Sequence, residues 1–186
     1  MANKRQLTGG TDDVNPQYLS SGTFTSAADT VTSVFIPTPI ARVGPQSGGS
    51  ATVMEVLKIF VNMPDLTSGQ IVAAMTRFKA QIAFCTSDPG TNLVGLGNPK
   101  VFALFQNQMI SSFTAGGTGI ESIREDPRVW DFTDNAGHGV LIATDNIYVQ
   151  VDTSDYGAVG DFQWKILYRF KKVALAEYIG IVQSQQ

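Results

Sequence analysis

Between Phe162 and Lys171 the sequence reads FQWKILYRFK, and every second residue is large and apolar: Phe162, Trp164, Ile166, Tyr168 and Phe170. Between them stand Gln163, Lys165, Leu167, Arg169 and Lys171. A period of two puts these sets on opposite faces of an extended chain, so the segment is a β-strand with one face in a core. Its density of aromatic residues suits a strand paired on both edges, in the middle of a sheet. An aromatic sheet face needs a second layer to cover it, which makes this one strand a statement about the whole fold.

Other segments repeat the pattern. Phe78, Ala80, Ile82 and Phe84 alternate with Arg77, Lys79, Gln81 and Ala83. The runs DTVTSVFIPTPI and HGVLIATDNIYVQVDTS are rich in Val, Ile and Thr. In the second, Val140–Thr144 and Ile147–Thr153 are separated by Asp145-Asn146, a pair that tolerates a tight hairpin turn. ATVMEVLKIFVNM fits a strand through Val53, Leu57, Ile59 and Val61, and fits a helix through Val53, Val56, Leu57 and Phe60. KVFALFQNQMISSF is open to both readings as well. With 18 Gly and 8 Pro marking turns among 186 residues, about eight strand segments emerge. An all-β domain is expected: a single eight-stranded jelly roll of two facing antiparallel sheets.

The ends differ from this body. Residues 1–22 are polar and aperiodic, and are expected to form a flexible arm. Residues 23–173 are expected to form the jelly-roll domain. Residues 174–186 still carry Leu175, Tyr178, Ile179, Ile181 and Val182 after the last strand. Because that strand already presents five large side chains to the core, the tail is expected at a subunit boundary, with Tyr178, Ile179, Ile181 and Val182 as interface residues.

Chemistry is sparse. One histidine, His138, and one cysteine, Cys85, supply neither a nucleophile–base pair in a recognisable motif nor an ordinary zinc site. His138 reads as a turn residue between two glycines, and Cys85 as a small buried hydrophobe. Asp131 and Asp134 in WDFTDNAG could offer oxygens to Ca²⁺, but their spacing is not that of an EF-hand and such clusters commonly form turns. No enzyme activity, cofactor or metal is expected. No run reaches the 18 or so apolar residues of a membrane span, so no membrane partner is expected either.

Thirteen basic against 16 acidic residues leave a net charge of −3, without the basic excess usual in a nucleic-acid-binding domain. Arg77 and Lys79 on one strand, with Lys165, Arg169 and Lys171 on another, could line a weak phosphate stripe. The same five could equally be solvated, or pair with Asp152, Asp155 or Asp161 across subunits.

The run RVWDFTDNAGHGVLIATDNIYVQVDTSD, followed by FQWKILYRFKKVALAEYIGIVQSQQ, resembles the capsid proteins of small circular single-stranded-DNA viruses that encode a replication initiator, as known from environmental genomes. The likeness spans about residues 30–186, and EYIGIVQSQQ is its most specific piece. It implies a virion coat protein that assembles with itself, in about 60 copies of a T=1 icosahedral shell, around a single-stranded DNA genome. One departure stands out. Many such proteins begin with a dense basic arm, whereas this one has only Lys4 and Arg5 there. A different class, a carbohydrate- or cell-surface-binding jelly roll, would use Tyr148 and Tyr156 near Asp152 and Asp155 as a sugar platform.

Overall fold

A computed structural model describes residues 17–20, 24–28, 30–38, 44–46, 48–64, 76–92, 94–113, 119–125, 129–153 and 160–185. Twelve strands and one helix fall within them: β1 (Gln17–Ser20), β2 (Phe24–Ser26), β3 (Val31–Pro37), β4 (Gly44–Gln46), β5 (Ser50–Asn62), β6 (Thr76–Cys85), β7 (Val101–Phe113), β8 (Gly119–Glu125), β9 (Val129–Asp131), β10 (Val140–Ile142), β11 (Asn146–Asp152), β12 (Gly160–Ala174) and α1 (Leu175–Ser184).

They form two antiparallel sheets. One runs β1-β12-β5-β10; the other runs β3-β11-β6-β7, with β8 outside β7. Counted along the chain, the eight principal strands β1, β3, β5, β6, β7, β10, β11 and β12 take the positions first-eighth-third-sixth in one sheet and second-seventh-fourth-fifth in the other. That interleaving is the double Greek key of a jelly roll. The remaining short strands fill out the long ones. β9, β10 and β4 lie along one side of β5, while β1 and β2 lie along the far side of β12.

As its alternation requires, β12 is an interior strand, paired with β1 on one side and β5 on the other. Phe162, Trp164, Ile166, Tyr168 and Phe170 are all buried between the sheets, facing Ile82, Phe84, Phe105, Val149 and Val151. Phe84 makes edge-on ring contacts with Trp164 across the core and with Phe105 beside it, both at 6.2 Å. Burial of each such side chain contributes about 1.5–3 kcal/mol, so this layer holds the domain together.

β5 is a strand, and the structure explains its double periodicity. Leu57 is a bulge: Leu167 pairs with Lys58 and Tyr168 with Val56, leaving Leu57 as the extra residue. Inward positions therefore switch from Met54 and Val56 to Ile59 and Val61. The opposite face is covered too. Ala51 and Val53 lie buried with Val173 and Ala143 in a second cluster, against which Tyr178, Ile181 and Val182 of α1 pack. A strand buried on both faces loses its alternation.

The expected hairpin at Asp145-Asn146 is not formed. β10 pairs with β5 and β11 pairs with β3 and β6, so the short link between them crosses from one sheet to the other. Thr38 fixes that corner. Its N–H donates to the Asp145 carbonyl at 2.9 Å, and its hydroxyl donates to the Thr144 and Asp145 carbonyls at 2.9 and 2.7 Å.

Within the expected arm of residues 1–22, Gln17–Ser20 pair with Lys165–Tyr168; residues 1–16 and 21–23 lie outside the described residues. The tail is not extended. It folds back as α1, and Gln185 anchors its end: the Gln185 Oε1 accepts from the Ala143 N–H at 3.0 Å, its Nε2 donates to the Leu141 carbonyl, and its own carbonyl accepts from the Thr86 hydroxyl at 3.2 Å.

One glycine is fixed by contact. A Cβ on Gly139 would sit 2.1 Å from the Val56 carbonyl oxygen, in backbone that cannot yield. Gly139→Ala is therefore expected to lower stability by about 1–3 kcal/mol, read as a shift in the denaturation midpoint. Gly95→Ala, where a Cβ meets nothing within 4 Å, is the control and should leave the midpoint in place.

Candidate functional site

The five basic positions do not form one stripe. Lys79 stands on β6, and Lys165, Arg169 and Lys171 on β12, in the two different sheets. The inward neighbours of both sets meet in the core between the sheets, so the basic residues face outward on opposite sides of the sandwich. Arg77 is a β6 position whose side chain lies outside the described ones.

Lys79, Arg169 and Lys171 are engaged by carboxylates of their own chain. The Lys79 ammonium lies 2.8 Å from the Asp152 carboxylate, with the two side chains 14% and 1% exposed. Arg169 is the direct cross-strand partner of Glu55, the only acidic residue in the run 51–63 and fully buried. The Arg169 Nε donates to Glu55 Oε2, the Gly139 N–H donates to Oε1 at 3.1 Å, and the Lys171 ammonium lies 3.7 Å from Oε1. Arg169 Nη2 also donates to the Gly137 carbonyl at 2.8 Å. A carboxylate placed under a surface loop thus gathers two cations and ties that loop to the sheet. Burial by itself pushes the Glu55 carboxyl up, but the Arg169 hydrogen bond, the Gly139 N–H and the charges of Arg169 and Lys171 together hold it below its ordinary range. Lys165 is exposed on the outer face of β12.

Asp131 and Asp134, the candidate cation ligands, are each engaged by neighbouring groups of their own chain. The Asp131 carboxylate accepts from the Thr133 N–H at 3.0 Å and the Thr133 hydroxyl at 2.6 Å, and lies 2.6 Å from the Lys58 ammonium. The Lys58 hydrogen bond, helped by Thr133, pulls its pKa down to about 2. Asp134 organises its own turn, accepting from the Ala136 and His138 N–H groups at 2.8 Å each, with His138 Nδ1 at 3.1 Å. Among the described residues no group of three or more His, Cys, Asp and Glu could hold a metal ion. Cys85 is buried, and burial pushes its thiol up to about 12.

The expected interface residues divide. Tyr178, Ile181 and Val182 face the chain's own second cluster, while Ile179 is 48% exposed and shares the outer side of α1 with Leu175, 37% exposed. Of the four residues of the expected sugar platform, two fall within the described residues. Asp152 is buried beneath Lys79, and Asp155 and Tyr156 lie outside the described residues. Tyr148 does reach the surface, beside Phe35 on β3, which is 62% exposed.

Sequence reasoning named Asp152 as a possible ion-pair partner, across subunits where the structure pairs it with Lys79 of its own chain, and it did not single out Glu55. The signal for Glu55 was a lone carboxylate inside an apolar run, since a charge there needs a cation across the strand. Gln81 and Gln150 gave no such signal. Gln81 Nε2 donates to the Val94 carbonyl at 2.8 Å, and Gln150 Oε1 accepts from the Val94 N–H at 3.0 Å, which holds the 86–100 connection onto the outer face of the second sheet.

The strand order defines the class as a single-domain jelly roll, an architecture shared by viral shells, lectins and cupins. No protein-family model matches the chain, and no curated protein sequence matches it. Among solved structures, VP1 of Trichodysplasia spinulosa-associated polyomavirus in complex with 3'-sialyllactose is similar over 88% of this chain and 98% of its own, at 10% identity and a TM-score of 0.46. The Merkel cell polyomavirus virus-like particle is similar over 91% of this chain and 77% of its own, at 9% identity and a TM-score of 0.44. The VP1 pentamer of human polyomavirus 6 is similar over 87% of this chain and 96% of its own, at 10% identity and a TM-score of 0.42.

Proposed function

We propose that the chain is a viral coat protein that assembles with itself into a small icosahedral shell around a single-stranded DNA genome. The observation that carries this reading is a jelly-roll domain with large apolar side chains left exposed on separate elements: Phe35 on β3, Val129 on β9, and Leu175 and Ile179 on α1. A closed shell is built by heterologous contacts, in which one patch on a subunit meets a different patch on its neighbour. Apolar residues on several elements suit that geometry better than one self-complementary face. The resemblance of about residues 30–186 to capsid proteins points the same way.

Within this reading the outer side of α1 supplies one subunit contact, and phosphate contacts, where made, are weak and salt-sensitive. Arg169 and Lys171 are assigned to Glu55 instead. The purified protein is expected to form particles of megadalton mass, seen by light scattering and negative-stain microscopy. Changing Leu175 and Ile179 together to aspartate is expected to abolish particles while leaving the melting temperature nearly unchanged, as both side chains are already substantially exposed. Wild-type protein that stays monomeric at high concentration, in low and high salt, would falsify the proposal.

A further inference from the structure

A cleft of 390 Å³ opens where α1 docks beside the β10–β11 corner. Ser87 and Asp88 line it from the start of the 86–100 connection, Asp145, Asn146 and Tyr148 from the corner, and Tyr178 from the helix. We propose that this cleft binds an uncharged, polyhydroxylated ligand, a mono- or disaccharide unit of a surface glycan.

The lining is rich in polar groups that the fold leaves unused. The side chains of Asp145, Asn146, Tyr148 and Tyr178 make no hydrogen bond to any described residue, and Asp88 spends only Oδ1, on the Gly90 N–H at 2.8 Å. The Ser87 hydroxyl is shielded from solvent and has no hydrogen-bond partner. Ordinary surface polar groups need no partner because water serves them. Here they converge on one concavity with two half-buried tyrosines, the arrangement expected of a binding cleft.

The chemistry of the lining selects the ligand. Carboxylates only accept hydrogen bonds, the Asn146 amide both donates and accepts, and the hydroxyls do either. Sugar hydroxyls, each a donor and an acceptor, match that mixture, and the tyrosine rings offer apolar surface to the C–H faces of a pyranose. Two carboxylates with no cation in the lining repel an anion, which disfavours an acidic sugar. A lysine or arginine side chain would satisfy the carboxylates, yet it only donates and would leave most of the cleft unfilled.

The test is ligand-observed NMR on the full chain with lactose, sialyllactose and Nα-acetyl-arginine amide as probes. Lactose is expected to bind weakly, with Kd on the order of 1 mM, and more tightly than either charged probe. Asp145→Ala is expected to weaken lactose about tenfold or more, because a charged acceptor is lost. Tyr178→Phe, which keeps the ring's packing, should weaken it by a smaller factor. Both variants should keep the wild-type melting temperature. The inference is overturned if lactose does not bind, if its binding survives Asp145→Ala, or if sialyllactose or the arginine amide is preferred. Because the measurement reads the cleft and not particle mass, it stands or falls independently of shell assembly.

Discussion

Glu55→Ala is expected to destabilise the domain by about 3 kcal/mol, the lower end of the range for removing one member of a buried ion pair. The carboxylate is fully buried, while the Arg169 side chain is 25% exposed and can turn partly toward water. The loss has two parts. Arg169 and Lys171 are left facing each other without their counter-charge, and the Gly139 N–H loses its acceptor, so the 133–139 loop detaches from the sheet. Glu55→Gln keeps an acceptor for Gly139 and should cost less. The pair also makes a pH test. The Glu55 carboxyl in the fold is held below the ordinary 4.5, so it contributes stability above that pH and loses it as pH falls through the lowered value. Wild type should therefore exceed Glu55→Gln at neutral pH and converge on it in acid. Asp131 and Asp134 are lowered too and act on the same acid limb, but they are common to both proteins and cancel. An advantage over Glu55→Gln that stays constant down to acid pH would count against this account.

Removal of residues 174–186 is expected to cost about as much or more. Tyr178, Ile181 and Val182 are half-buried on Ala51, Val53, Ala143 and Val173, contributing about 1 kcal/mol each at partial burial. Three hydrogen bonds to Gln185 add about 1 kcal/mol each. A total of about 4–6 kcal/mol is a large share of the 5–15 kcal/mol that holds a domain folded. The shortened chain should melt about 10–20 °C lower or fail to fold. This reverses the outcome expected of a tail that merely joins subunits, which is a stable domain unable to assemble. A truncated protein with wild-type melting would restore that expectation, and Gln185→Ala, which removes only the anchor, should fall between the two.

The parts of the fold legible in the sequence are those where alternation survives burial. On β12 core residues alternate with outward ones that reach solvent, and on β6 they alternate with Gln81 and Ala83, which are themselves covered by the 86–100 connection. β5 was ambiguous because α1 and the 133–139 loop bury its second face, and because the Leu57 bulge moves its register. The helix itself was present as a spacing, Leu175, Tyr178, Ile179 and Val182 at i, i+3, i+4 and i+7, but its short length let it pass for a tail. The basic residues were left open between a phosphate stripe, a solvated face and ion pairs, because the sequence shows charges without fixing their partners. Glu55 lies 114 positions from Arg169, and no local pattern connects them. The cleft was out of reach for the same reason, as its walls come from three distant segments.

The pairing of Gln17–Ser20 and Phe24–Ser26 with β12 has a consequence for the order of events during synthesis. Gln17–Ser20 and Phe24–Ser26 leave the ribosome well before the strand they pair with among the described residues, with Gln17 against Tyr168 and Phe24 against Phe162. β5 is likewise exposed along one whole edge until β12 arrives. Closing so long a loop is entropically costly, and topologies dominated by distant pairings fold slowly, in milliseconds to seconds. During that interval the nascent chain carries an apolar, unpaired strand edge, at which a second nascent chain on the same message could pair instead. High-level expression therefore sets two outcomes in competition, the finished subunit and a strand-exchanged aggregate, and slower translation or lower temperature should favour the former.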